Sequence, residues 1–409
     1  MSASRELLHV LQAQGIHCFV SFPDKWLYPF LQALDHTPSL MHVPATIERE
    51  ALGIAVGAQL AGRRSALVMQ NSGIGNLLND WASLAHNYEI AVPWIVSDRG
   101  SHGEKVATQK IWRSRLRAVL AAAEIPAQTF TSAAELPELA DYLQLGYATS
   151  QCLAALFPYA FWQEELETGP AAMQVDTLSL PLIDTRSRLE TNPWPRQSRA
   201  TWRRYEALSC LLEALTTEFL FVNLGDPCKE IYDIQDRHET FYMLGSMGLV
   251  LPLGLGFSRA ANALGESRKT VVIDGDGSQL MQLGSLGTLS REQPDLALII
   301  IDNGSYGSTG DQPTLTRQYA NLEGVAQAFG LTDTATVATP LAFEDRLRTI
   351  LSSPGPSVTV VLVQPGAPRT PLVPLSPSEI AHRFQASVCS PLRSPSRPFA
   401  SFADTPHSS

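Results

Sequence analysis

Residues 269–303 constrain this chain more than any other stretch. Lys269-Thr-Val-Val-Ile-Asp274 is a short apolar run that leads into Gly275-Asp276-Gly277-Ser278. A helical apolar pattern occupies 279–291, and a second apolar run, Leu296–Asp302, stops at Asn303-Gly304. Two such runs joined by a helix form a right-handed crossover between parallel strands, which commits this half of the chain to a helix-covered parallel sheet. Both strand ends then open on one edge, where ligands of open α/β folds bind. The glycines let the backbone approach a phosphate closely, and the following helix offers it unpaired N–H groups. Asp276 and Asn303 supply oxygens to a hard cation, and the main-chain carbonyl of Ser305 completes a set suited to Mg²⁺ and phosphate oxygens. An isolated G-D-G is more often just a tight turn. Here strand, turn, helix, strand and terminal Asn follow in order, and the absence of G-x-G-x-x-G argues against a dinucleotide turn.

The same rhythm runs through the rest of the chain. Apolar runs suited to buried strands lie at 17–22, 40–44, 66–70 and 91–96, with helical patterns between them at 26–34, 48–61 and 77–87 and further helical stretches at 133–145 and 152–166. A Pro/Thr/Ser-containing segment follows, and the alternation restarts with a helix at 205–216 and strands at 219–223, 270–274, 296–302 and 358–363. The expected architecture is α/β: two doubly wound parallel-sheet domains, 1–166 and 200–366, joined by a linker at 167–199 with no middle domain. Residues 367–409 read as a Pro/Ser-rich tail, largely disordered after 388, with one short helix whose capping box is Ser376-Pro377-Ser378-Glu379.

Composition narrows the class. With 409 residues, 44% apolar and 17% charged, the chain has the balance of a globular protein with room for two cores. A net charge of -10 without a Lys/Arg run argues against a nucleic-acid partner. The N-terminus reads as an amphipathic helix rather than a signal segment, and no apolar run approaches the roughly 20 residues of a membrane span. Five cysteines are scattered with no C-x-x-C pair, which favours thiols in a reducing compartment over zinc or disulfides. A cytoplasmic protein with no membrane partner is expected.

The stretch from Phe241-Tyr-Met-Leu-Gly-Ser-Met-Gly248 through Asp274-Gly-Asp-Gly-Ser278 to Asp302-Asn-Gly-Ser-Tyr-Gly-Ser-Thr309 resembles thiamine-diphosphate enzymes. It is similar in particular to the sulfopyruvate and phosphonopyruvate decarboxylases, over roughly residues 5–115 and 205–335. The resemblance implies a pyrimidine-binding first domain, a pyrophosphate-binding second domain, and thiamine diphosphate and Mg²⁺ as cofactors. Asp276, Asn303 and Ser305 would hold the metal. Gly275, Gly277, Ser278, Tyr306 and Gly307 would line the diphosphate end, with Gly245, Ser246 and Met247 beneath the cofactor and Met247 as its wedge. Many relatives carry a second Asn where this chain has Gly304.

At the other end, such enzymes place an activating Glu beside the aminopyrimidine, just before a Gly-containing helix. Thr46-Ile-Glu-Arg-Glu-Ala-Leu-Gly-Ile-Ala-Val-Gly57 puts Glu48 there, with Glu50 as the fallback; Glu50 also suits a solvated first-turn residue. Gln70-Asn71 opens a loop similar to the one facing the thiazolium, and stands where many relatives have a His. The resemblance further implies a homodimer or homotetramer whose sites combine two chains, Glu48 from one and Asp276 from the other.

The substrate implied is a 2-oxo acid with an anionic group at C3, decarboxylated to an aldehyde. Lys25, Gln70, Asn71, Arg99, His102 and Lys105, on strand-end loops of the first domain, are the candidates to receive it. The 302–310 segment looks more like the sulfopyruvate enzymes, which favours 3-sulfopyruvate over phosphonopyruvate. Ala107-Thr-Gln-Lys-Ile-Trp-Arg113 departs from both groups, so a diverged decarboxylase or carboligase for another 2-oxo acid, an aryl one included, stays open, as does a non-catalytic cofactor-binding relative.

Overall fold

A computed structural model describes residues 2–101, 104–168 and 200–388. In the first half, β1 Cys18–Ser21, β2 Met41–Pro44, β3 Ser65–Gln70, β4 Trp94–Ser97, β5 Ala127–Thr129 and β6 Ala154–Phe157 form a sheet in the order β2-β1-β3-β4-β6-β5. The second half contains β7 Phe219–Val222, β8 Thr240–Tyr242, β9 Thr270–Gly275, β10 Leu296–Asp302, a small hairpin of β11 Ser305–Tyr306 and β12 Gln312–Pro313, then β13 Thr334–Val337 and β14 Ser357–Leu362. Its sheet order is β13-β14-β10-β9-β7-β8. All pairings in the two six-stranded sheets are parallel. Helices cover both faces, so β1, β4, β6, β7, β10 and β14 are buried along their whole length. This is the α/β fold of two parallel sheets expected from the alternating runs.

One hydrophobic core runs continuously through both halves, and the helices Glu48–Leu60 and Val250–Ala263 carry it across. They approach so closely that only glycine fits at the crossing. A Cβ on Gly57 would lie 2.0 Å from the Leu253 carbonyl oxygen, and one on Gly256 would lie 2.0 Å from that of Ile54. The site-bearing ends of the two sheets are therefore set relative to each other by a backbone-to-backbone contact.

Several elements differ from the sequence reading. The 152–166 stretch is not one helix: Ala154–Phe157 is a central strand, followed by the helix Tyr159–Thr168. Its Ala and Leu residues favour a helix locally, but burial on both sheet faces overrides that preference. The 279–291 helix is two, Asp276–Met281 and Gly284–Glu292, because Gln282 leaves helical geometry with ψ 56°. The 77–87 helix begins earlier, at Ile74, and passes at Trp81–His86 into a π-helical turn. The helix Pro377–Val388 is part of the second domain's core rather than tail: Phe384 packs against Phe219, Phe221, Phe241 and Phe257. Its capping box forms as read, Ser376 N–H donating to Glu379 and Glu379 N–H to Ser376 Oγ. Most of the expected linker, 169–199, and the tail after 388 lie outside the described residues. Among the described residues no helix is long and apolar enough to cross a membrane, and Cys18, Cys152, Cys210 and Cys228 are free thiols.

Candidate functional site

Register brings the metal-type side chains together. In the β9–β10 pairing Ile300 stands opposite Asp274 and Ile301 opposite Gly275, so Asp276 and Asn303 follow the ends of adjacent strands. Asp276 is 3% exposed, and its Oδ2 accepts hydrogen bonds from the hydroxyls of Thr314 and Thr316, the latter at 2.9 Å. Thr316 also donates to Asp302 Oδ1 at 2.8 Å. Burial, and then the charge of Asp302, push the Asp276 carboxyl up to about 7. Its neighbours are hydroxyls, a backbone N–H and a second carboxylate, with no cation among the described residues acting on it. A buried carboxylate beside another, held only by hydroxyls, is a poor structural group and a good cation ligand. Asp274 is likewise pushed up to about 7 by burial, and one of its oxygens lacks a partner.

The remaining oxygen donors are arranged compatibly. Asn303 is 6% exposed and accepts the Ser305 N–H at 2.9 Å. Opposite Ser305 in the hairpin stands Pro313, and the ladder bond falls on the next pair, Thr314 N–H donating to the Gly304 carbonyl at 3.1 Å, so the Ser305 carbonyl is not used between these strands. Gly304 has φ 66°, so the position where many relatives carry Asn needs a residue tolerant of the left-handed region, and glycine meets that need. Gly277 packs against Tyr306, whose ring would stand 2.3 Å from an added Cβ. Gly307 lies beside Asn303, Asp311 and Asp226, each within 4 Å of where its Cβ would be. Among the described residues no group of three or more His, Cys, Asp or Glu could hold a metal ion, so a cation here would need amide, carbonyl or phosphate oxygens beside the Asp276 carboxylate. The donor set fits Mg²⁺ with a diphosphate.

The Gly245–Gly248 turn lies beside this end. Gly248, with φ 94°, donates its N–H to Ser278 Oγ at 2.9 Å, which orients the hydroxyl and leaves its O–H free to donate. Ser246 has φ 57° and is 4% exposed.

Glu48 opens the helix Glu48–Leu60 and is 2% exposed. Asn76 donates to its Oε2 at 2.9 Å, and the backbone of Gly73 lies so close that a Cβ there would be 2.6 Å from Oε1. Glu50 is not the solvated residue anticipated: it is fully buried, and one oxygen accepts both the N–H and the hydroxyl of Thr46 while the other lacks a partner. Gln282 and Gly284 of the second domain close over Thr46, the partner of Glu50, whereas the contacts of Glu48 are Gly73 and Asn76 of its own domain.

The substrate candidates divide. Arg99 is 8% exposed, with Nε on Glu104 at 2.8 Å, Nη1 on Asp24 at 2.5 Å, and its guanidinium 4.7 Å from the Trp26 ring centre. Asn71 is buried and donates to the Arg99 carbonyl at 2.8 Å, leaving its own oxygen without a partner. Gln70 accepts from Gln109 at 2.9 Å. Lys25 and Lys105 are exposed on their loops, and His102 lies outside the described residues. Sequence reasoning missed Thr314, Thr316, Asn76, Arg49 and Asp80. Thr314-x-Thr316 carried a faint signal, two hydroxyls on one face just past the hairpin; the others are defined only by contacts across the fold.

Comparisons with known proteins bear on the family and the fold. Residues 228–361 match the family described as thiamine pyrophosphate enzyme, C-terminal TPP binding domain. The chain is 29% identical to the sulfopyruvate decarboxylase of Methanosarcina acetivorans over 391 residues, 95% of this chain and 98% of that one. It is 32% identical to the phosphonopyruvate decarboxylase of Streptomyces viridochromogenes over 408 residues, 96% of each. A sulfopyruvate decarboxylase β subunit from Methanococcus maripaludis is 40% identical over 45% of this chain and 97% of its own. An α subunit from Methanothermobacter thermautotrophicus is 39% identical over 36% of this chain and 90% of its own. Among solved structures, the benzoylformate decarboxylase of Polynucleobacter necessarius superposes with a TM-score of 0.64 at 13% identity, over 89% of this chain and 98% of that one, a likeness of fold alone.

Proposed function

Since the chain belongs to the thiamine-diphosphate-dependent sulfopyruvate and phosphonopyruvate decarboxylase family, we propose that this carboxy-lyase converts 3-sulfopyruvate to sulfoacetaldehyde and CO₂. Thiamine diphosphate, when bound, supplies a carbon nucleophile that adds to the ketone and takes up the electron pair left by CO₂. In this reading Asp276, Asn303 and the Ser305 carbonyl hold the Mg²⁺–diphosphate, and Gly275 and Gly277 keep the backbone close to it. Glu48 exchanges a proton with the pyrimidine N1′, its carboxyl oriented by Asn76 in a pocket that excludes water. One proton from solvent completes the aldehyde.

The observation that carries the choice of acid is the charge balance at the strand-end loops. Among the described candidates Arg99 is offset by both Asp24 and Glu104 while Lys25 and Lys105 are exposed, and in this reading these two lysines meet the substrate's C3 group. A sulfonate carries one charge, whereas a phosphonate carries more near neutral pH and needs more cation to desolvate it. The 40% and 39% identities to sulfopyruvate decarboxylase subunits support the same choice. Phosphonopyruvate is the second reading, favoured by the 32% identity to the Streptomyces enzyme. Relatives that divide the activity between α and β subunits support an oligomeric assembly, although within one chain the helix end bearing Glu48 already meets the Met247 turn. The test is CO₂ release from 3-sulfopyruvate, phosphonopyruvate, an arylpyruvate and pyruvate at equal concentration. The highest kcat/KM for 3-sulfopyruvate is expected; a preference for any other acid overturns the assignment.

A further inference from the structure

A set of contacts from the first domain grips one short segment of the second. The Tyr88 hydroxyl donates to the Tyr242 carbonyl and accepts the Leu244 N–H, both at 2.7 Å. Gly245 lies against Ser83, where a Cβ would come within 2.7 Å of Ser83 Cβ. Ser83 and Ser246 share a hydroxyl hydrogen bond of 2.7 Å, and Ser246 holds a left-handed φ of 57° that a serine seldom adopts. Arg49 closes the set. Its Nε and Nη2 donate to the two oxygens of Asp80 at 2.9 and 3.1 Å, and Nη2 also donates to the Met247 carbonyl at 2.7 Å.

The chemistry favours a directed role over a generic clamp. Asp80 is 2% exposed, so the forked ion pair is shielded and holds the guanidinium plane in one direction. Asp80 ends the helix Ile74–Asp80 where the π-helical turn Trp81–His86 begins, and that turn supplies Ser83. Such turns recur where a side chain must be re-aimed for function. Arg49 also stands next to Glu48, so one helix end carries both groups.

We propose that Arg49 is a positioning residue for the decarboxylation. Acting through the Met247 carbonyl, it fixes the setting of the Met247 side chain against the cofactor and ties that setting to the helix end presenting Glu48. The role rests on the assignment of Glu48 and Met247 to the cofactor site. A lysine cannot replace it, because a point charge cannot fork to Asp80 and reach the carbonyl together.

The test compares wild type, Arg49→Ala, Arg49→Lys and Asp80→Asn at saturating Mg²⁺ and thiamine diphosphate. The expected result is a kcat lower by about 10- to 100-fold in all three variants, with the 2-oxo acid KM unchanged; Arg49→Ala also lowers the melting temperature by leaving the buried Asp80 unpaired, whereas Arg49→Lys keeps a cation beside it. Added guanidinium chloride should restore part of the Arg49→Ala rate but none of the Asp80→Asn rate. If Arg49→Ala does not fold, Arg49→Lys carries the comparison. A wild-type kcat in Arg49→Lys, or a loss that follows a fall in melting temperature and resists guanidinium, overturns the role. Wild-type protein without cofactor-dependent CO₂ release overturns the functional reading, and this role with it.

Discussion

The crossing of the helices Glu48–Leu60 and Val250–Ala263 makes Gly57→Ala a sharp test of how the two domains are held. An added Cβ would sit 2.0 Å from the Leu253 carbonyl oxygen and 2.7 Å from the Phe257 nitrogen. Carbon and carbonyl oxygen rest at about 3.3 Å, so the helices must part by roughly 1.3 Å. Both obstructing atoms are backbone, so no rotamer change relieves them. Overpacking costs about 3 kcal/mol or more when the backbone has to move. Replacing a helical glycine by alanine returns about 1 kcal/mol of propensity. The clash wins, and Gly57→Ala should lose about 2 kcal/mol, read as a lower denaturant midpoint at unchanged m-value. Gly256→Ala fills the same crossing from the other side, 2.0 Å from the Ile54 oxygen. Once one substitution has parted the helices the second costs less, so the double variant should lose less than the two single losses added. A Gly57→Ala protein as stable as wild type would refute the close crossing, and strict additivity would refute the shared contact.

Two further outcomes are expected. Asp274 and Asp276 are both pushed from 3.8 to about 7, so between those values the folded cofactor-free protein binds more protons than the unfolded chain and loses stability as pH rises. The ceiling is about 4 kcal/mol per group. Melting temperatures of cofactor-free protein should fall from pH 5 to pH 8, and a rise over that window would contradict the burial of these carboxyls. Glu48→Gln should retain cofactor affinity while kcat falls about 100-fold or more; full activity in that variant would remove Glu48 from the pyrimidine site.

How far the sequence could be read depends on the range of the forces involved. The long strands of the second sheet were legible because burial on both faces leaves continuous apolar runs, as in Leu296–Asp302. Glycine-turn chemistry marked Gly275–Ser278 for the same local reason. The short edge strands Ala127–Thr129 and Thr240–Tyr242 were not legible, since three residues carry no period. Ala154–Phe157 was misread because its composition suits a helix until the neighbouring strands are in place. At the site, Asp276 and Asn303 announced themselves, but Thr314 and Thr316 reach Asp276 from about forty residues away. Glu50, the fallback for the activating carboxylate, also suits a solvated first turn because nothing near it in sequence reveals its burial. Arg99 looked like a free cation until the fold set Asp24 and Glu104 against it.

The central claim is that Asp276 anchors a Mg²⁺–diphosphate cofactor. Its most direct test is calorimetric titration of thiamine diphosphate into wild type and Asp276→Ala, with and without Mg²⁺. Asp276→Asn serves as a second variant, its folding checked by circular dichroism. Mg²⁺-dependent binding to wild type is expected, with a Kd weakened by about 100-fold or more in both variants, the scale of losing a charged ligand. Equal Mg²⁺-dependent affinity in the folded variants would contradict it.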